Sequence, residues 1–292
     1  MNDISPGILD RLDNFHLAGI IPISGTEVES IRLGLVHPAL APISSTLLAV
    51  ERSVLECNLI GCETIWIVCN ENYQPLLRQR IKDFTTSVYS IASSRFSKFG
   101  QTKLKQIPIF YVAIPLTLRR KRDSLGWSVL HGANHAFAVC AKVSKWIVPN
   151  KYYVSNPYGI CDPSLPAENK GLLTSSENLF ISYGGKTVSD GLNTSFSFRP
   201  ADFLKIRKNV KAQCTGSTKK PYWSSRHFSI DKFFNYDNID SVNNIETSHY
   251  YDLGSWNSYR NFISSDHGQI YENYNLQNLN KKLKERILHE NE

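Results

Sequence analysis

What this sequence of 292 residues lacks narrows it first. Its six cysteines, Cys57, Cys62, Cys69, Cys140, Cys161 and Cys214, form no Cys-x-x-Cys pair. Several sit in apolar runs, where a cysteine behaves as a small hydrophobe. That argues against a structural zinc site and predicts a reduced, cytoplasmic setting. There is no long Lys/Arg tail, zinc-finger spacing or GxxG loop, so no motif specifies nucleic acid. No apolar stretch approaches the length of a membrane span. Met1 to Asp10 has no basic region followed by an apolar run, so a secretory signal is not expected there. The one sequon, Asn193-Thr194-Ser195, is a triplet that arises by chance.

What is present fits a packed globular chain. Hydrophobic residues make up 41% and charged residues 20%, which excludes a disordered protein. The length predicts a single domain over 1–292, closed by a charged amphipathic helix at Leu276 to Leu288. The net charge of +7 favours anionic partners, and nucleotides and sugar phosphates are anions as much as nucleic acid is. The densest basic run, Arg119 to Arg122, reads either as a solvated segment or as a phosphate-facing one.

Periodicity gives an alternating order. Leu17 to Ile23 reads as a buried strand, followed by an irregular stretch with Pro38 and Pro42. Thr46 to Ile60 reads as a helix with an apolar face at Leu48, Val50, Val54, Leu55 and Leu59, stopped by Gly61. Thr64 to Cys69 is a continuous apolar run rich in β-branched residues, as in a parallel strand covered on both faces. A helix at Tyr73 to Phe84, a strand at Ile107 to Ile114, a helix at Ser124 to Val143 and a strand at Lys151 to Ser155 follow. This order predicts an α/β fold of three αβα layers, Rossmann-like, with a mostly parallel mixed sheet. Small residues on the Ser124 helix, among them Gly132, Ala133 and Ala136, would let it lie close to the sheet or to a ligand. Beyond it, residues 180 to 183 and 193 to 198 read as strands about a Gly184-Gly185 turn, with helices at Phe203 to Arg207 and Phe228 to Asn235.

Several segments, in order, resemble the sugar-phosphate nucleotidyltransferases. Ile21-Pro22-Ile23-Ser24-Gly25-Thr26, with Arg32-Leu33 further on, stands where that family has Gly-Gly-x-Gly-Thr-Arg-Leu. His37-Pro38-Ala39-Leu40-Ala41-Pro42-Ile43 stands for its Pro-Lys-x-Leu-x-Pro-Val, and Gly61 to Val68 for Gly-Ile-x-x-Ile-x-Ile-Val. Leu125-Gly126-Trp127-Ser128 occupies the place of the base-contacting segment, and Asp252-Leu253-Gly254-Ser255 with Tyr259 resembles Asp-Ile-Gly-Thr-x-x-x-Tyr. The resemblance spans roughly residues 17 to 263. It implies a GT-A-like nucleotidyltransferase fold and transfer of a nucleotidyl group from a nucleoside triphosphate to a sugar phosphate, with Mg²⁺.

The resemblance also assigns residues. Ser24, Gly25 and Thr26 would begin the phosphate loop, with Arg32 as its cation or as a solvated residue. Gly126 and Trp127 would face the base, and Lys186 the sugar phosphate. Tyr183, Asn193, Arg199 and Lys220 are further sugar-side candidates, and Tyr158 shares with Trp127 a place near a base or sugar ring. Asp252 would hold the metal or cap its own turn, and Asp162 presents the same choice. Three positions depart from the pattern. The loop after Ser24 carries Glu27 and Glu29, Ala39 replaces the lysine, and Asn156-Pro157-Tyr158 replaces Gly-Asp after the Lys151 strand. An active but divergent transferase and an inactive nucleotidyltransferase-fold protein that binds a ligand or partner both fit, with a homo-oligomer left open. A glycosyltransferase would want Asp-x-Asp after the Lys151 strand, and only Asp237 and Asp240 form a loose pair.

Overall fold

The computed structural model describes residues 15–23, 37–88, 90, 104–118, 124–143, 148–215 and 229–272. The first strand, β1 (Leu17–Pro22), is buried along its whole length. Helix α1 (Ala49–Leu59) returns the chain to β2 (Thr64–Asn70). Then come α2 (Gln74–Ile81), β3 (Phe84–Thr86), β4 (Gln106–Ile114), α3 (Leu125–Val143) and β5 (Lys151–Val154). β1 lies between β2 and β5 and pairs with both in parallel, so the strands read at 64–69 and 151–155 share one sheet with β1 inserted between them.

The full sheet has eight strands in the order β3-β4-β2-β1-β5-β8-β7-β9, where β7 is Asn178–Ser182, β8 Phe196–Phe198 and β9 Val242–Glu246. β3 and β8 run against the rest, which makes the sheet mixed and mostly parallel. A second sheet is a two-stranded antiparallel ribbon of β6 (Gly159–Ile160) and β10 (Tyr251–Asp252).

Alternation along β1 shows how the layers form. A Cβ on Gly19 would lie 2.8 Å from Cys57 Sγ, so α1 packs against that face at a distance only glycine allows. The next residue, Ile20, points the other way and meets Gly132 of α3, whose added Cβ would lie 2.9 Å from both Ile20 and Val68. The small residues of α3 therefore serve close packing on the sheet. β5 repeats the division. Tyr153 reaches α1, while Tyr152 stacks on Phe198 and meets Phe203 of α6 (Pro200–Thr215).

The departures from expectation have local causes. The chain before α1 is tied into a turn by Ile43 N–H and Ser44 N–H, both donating to Leu47 O, so the helix starts at Ala49 and not at Thr46. α2 ends at Ile81 because Lys82 takes a positive φ of 73°, and the chain leaves directly into β3. α6 runs well past Arg207. Between β6 and β7 lie two short helices, α4 (Leu165–Glu168) and α5 (Lys170–Thr174), and after α6 comes α7 (Ile230–Phe233). The last described helices are α8 (Trp256–Ile263) and α9 (Asp266–Glu272). The helix read at Leu276 to Leu288 and the Arg119 to Arg122 run lie outside the described residues. No described helix is long and apolar enough to cross a membrane.

Candidate functional site

The sheet itself marks where a ligand would sit. From β1 the chain moves to β2 on one side, by α1 on one face. It reaches β5 on the other side, by α3 on the opposite face. This reversal is a topological switch point, and in open α/β sheets the crevice outside the carboxyl ends of the strands at that point is where ligands bind. Here the crevice edge is formed by Ile23 after β1, Asn70 at the end of β2, Ser155 and Asn156 after β5, and the start of α3 after β4.

A chain of side-chain hydrogen bonds brings a carboxylate to that edge. Asn156 is fully buried, and its Oδ1 accepts from Tyr158 N–H at 3.1 Å, which closes the turn after β5. Asn156 Nδ2 donates to Asn193 Oδ1 at 3.2 Å. Asn193 Nδ2 in turn donates to Asp252 Oδ1 at 3.4 Å, and its backbone N–H donates to Tyr250 OH at 3.0 Å. The backbone agrees, because Asp252 pairs with Gly159 and Leu253 N–H donates to Tyr158 O at 2.7 Å. Gly159 is required by this arrangement: a Cβ there would lie 2.0 Å from Asn193 O.

Beneath the turn lies a buried ion pair that sequence reading missed. Arg52 and Glu56 of α1 are both fully buried and pair at 2.8 Å. Arg52 Nη2 donates to Asn156 O at 2.7 Å, so the guanidinium grips the backbone of the turn after β5. Glu56 accepts from Tyr153 OH and, at 3.0 Å, from Ser155 Oγ. Burial works against the charge on Arg52, but Glu56 and smaller contributions from Cys161, Tyr271 and Tyr153 hold its proton above the ordinary guanidinium value. The available signal was an Arg-x-x-x-Glu pair inside a helix whose buried residues run almost all the way round.

The predicted site residues fall into groups. Ser24, Gly25, Thr26 and Arg32 lie outside the described residues, as does Lys220. Asp252 is at the crevice edge, half-buried; its Oδ1 also accepts from Gly254 N–H at 2.8 Å, while among the described residues no donor reaches Oδ2. Asp162 is not beside it. It stands at the far end of the β6–β10 ribbon, where Oδ1 accepts from Ser164 N–H and Ser164 Oγ, so it caps its own turn. Gly126 and Trp127 form the first turn of α3 on the crevice edge, with Trp127 half-buried. Lys186 is exposed and closes a two-residue hairpin in which Gly184 and Gly185 both take positive φ, 58° and 74°. β7 runs in the direction of β5, so this hairpin projects from the same edge as the crevice. Tyr183 and Tyr250, with ring centres 5.9 Å apart, connect it to the strand bearing Asp252.

Other candidates are placed elsewhere. Arg199 follows β8 at the opposite edge, bound to Asp202 at 3.1 Å. Tyr158 is fully buried. His37 is buried against the rings of Tyr73 and Tyr158, and its Nδ1 accepts from Ala39 N–H at the start of the short helix Pro38–Leu40. Ala39 is itself fully buried and offers no charge. Burial pushes the Cys69 and Cys161 thiols up to about 12, so neither is a thiolate nucleophile at neutral pH. Among the described residues no group of three His, Cys, Asp or Glu side chains could hold a metal ion.

No family model matches the sequence, and no curated protein matches it. Solved structures do. A UDP-glucose pyrophosphorylase complexed with UDP-glucose superposes with a TM-score of 0.52 at 13% identity, covering 89% of this chain and 100% of that one. A 4-diphosphocytidyl-2C-methyl-D-erythritol synthase from Anaerococcus prevotii gives 0.50 at 9% identity, over 87% of this chain and 96% of that one. A Bacillus anthracis structure assigned as a glucose-1-phosphate thymidylyltransferase, in complex with sucrose, gives 0.54 at 10% identity, over 89% and 96%. The chain shares the fold of these three structures, at a sequence distance that leaves the reaction to be argued from the residues.

Proposed function

We propose that this chain binds a nucleoside triphosphate in the crevice at the ends of β1 and β5 and transfers its nucleotidyl group to a sugar phosphate. The observation that carries the reading is the Asn156–Asn193–Asp252 chain, which tethers a carboxylate to the end of β5. In this reaction an oxygen of the sugar phosphate bonds to the α-phosphorus and the bond to the pyrophosphate oxygen breaks. The attacking oxygen is already ionised, so positioning and charge neutralisation carry the rate and no strong general base is needed.

Asp252 Oδ2, with no protein donor among the described residues, is the group that would hold Mg²⁺. One carboxylate is a thin donor set, but Mg²⁺ keeps several waters and takes further ligands from substrate phosphates. The ion supplies neutralisation of the phosphate charge. Arg32, with Ser24, Gly25 and Thr26, is proposed for the phosphates, Gly126 and Trp127 for the base, and Lys186 for the sugar phosphate.

A second reading, binding without turnover, has its own support: Ser155 and Asn156, which follow β5, are neutral, and Ala39 is buried and uncharged. Two measurements separate the readings. Pyrophosphate release is followed with a panel of nucleoside triphosphates and sugar phosphates, and binding is measured by calorimetry with Mg²⁺. Transfer predicts pyrophosphate release that Asp252→Ala abolishes, with binding weaker than micromolar because the sequence after Ser24 is poor in glycine and carries Glu27 and Glu29. Binding with no release for any pair selects the second reading, and an unchanged rate in Asp252→Ala removes that residue from the chemistry.

A further inference from the structure

The ribbon that carries Asp252 is fastened from behind by two histidines. His249, just before β10, and His267, in α9, stack with ring centres 3.9 Å apart and planes 15° from parallel. His267 Nδ1 shares a hydrogen bond of 2.9 Å with Tyr251 OH on β10. His249 is half-buried, its Nδ1 meets Ser248 Oγ at 3.1 Å, and its Nε2 is buried with no hydrogen-bond partner. α9 is further held by Tyr271 OH, which donates to Cys161 O at 2.8 Å just after β6.

We propose that this stacked pair is a proton-sensitive latch that releases α9 from the β6–β10 ribbon in mildly acidic solution. Tyr251 OH can donate to or accept from His267 Nδ1, so that bond does not restrain the ring to one form. A proton on His249 sets a cation against the face of the His267 ring and strands a charged N–H in a buried position without an acceptor. Burial and His267 both lower the proton affinity of His249, and Asp162, after β6, raises it. Protonation of His249 therefore goes with parting of the rings. Because Tyr251 directly precedes Asp252, opening loosens the turn that holds that carboxylate, a consequence that rests on the nucleotidyl-transfer reading.

The test uses the full chain and no activity measurement, so its failure stands apart from failure of that reading. Histidine resonances are followed by NMR from pH 8 to 5, and amide exchange across residues 249–272 is followed by mass spectrometry. The proposal expects His249 to bind its proton more weakly than in H267Q, with its midpoint at lower pH. It also expects amide exchange in α9 to accelerate as His249 takes up its proton in the native chain but not in H267Q. An unchanged His249 midpoint in H267Q, or the same acid-driven exchange in both, overturns it. If H267Q does not fold, H249Q gives the reciprocal test, in which the acid-driven exchange step must vanish.

Discussion

Replacing Arg52 with methionine removes the guanidinium from beneath the crevice and leaves Glu56 in place. The variant loses the pair to Glu56 at 2.8 Å and the bond to Asn156 O at 2.7 Å. Glu56 keeps Tyr153 OH and Ser155 Oγ as donors, but its charge is then buried without a counter-ion. Removing one partner of a buried pair costs about 3–5 kcal/mol, and both side chains here are fully buried, so Arg52→Met should fall in that range. Glu56→Met should cost a similar amount, because it strands the guanidinium. The double variant, with both charges gone and the volume largely filled, should cost clearly less than the sum of the two. Urea denaturation of the four proteins measures this, with the midpoint read at constant slope. A cost below about 1 kcal/mol for Arg52→Met, the value of an exposed pair, or additive single effects, would refute the reasoning.

Other perturbations follow from the same contacts. Gly159→Ala puts a methyl group 2.0 Å from Asn193 O, so it should destabilise by at least the upper end of the about 1–3 kcal/mol of an overpacked site, measured by thermal or urea unfolding. Lys151 is buried at the start of β5, and burial, with the Arg199 charge second, lowers its amine to about 8. Above that pH the unfolded chain holds the extra proton, so this group's contribution to stability rises from about pH 8 to the ordinary lysine value and is constant beyond it. The stability difference between native chain and Lys151→Met should therefore shift in favour of the native chain over that window, and a flat difference would contradict it.

Much of the sheet was legible because its central strands are written in a code with few alternatives. Thr-Ile-Trp-Ile-Val-Cys at 64–69 is apolar, β-branched and too short for a buried helix, and it forms β2. Strands at the margins lack that code. β3 has three residues, with Phe84 exposed, and β9 reads Val-Asn-Asn-Ile-Glu with its residues mostly half-exposed or exposed, so neither carries a clean alternation. The extent of α6 was hidden by exposed residues such as Leu204, Lys205 and Lys208, which leave a thin apolar stripe. At the crevice edge, Asp252 was singled out from its neighbours in sequence. Its tether was not, because Asn193 lies 59 residues away and a half-buried amide has no periodic signature. Arg199 was misplaced because sequence does not say which end of a strand faces the crevice, and β8 runs opposite to β5.

The central claim is that the crevice at the ends of β1 and β5 receives a nucleotide whose phosphates are directed to Asp252. A structure of the chain with a nucleoside triphosphate and Mg²⁺ tests it most directly. The account predicts the phosphates at the carboxyl ends of these strands, with Mg²⁺ on Asp252 Oδ2 and the base near the first turn of α3. A nucleotide bound on another surface, with Asp252 unengaged, would contradict it.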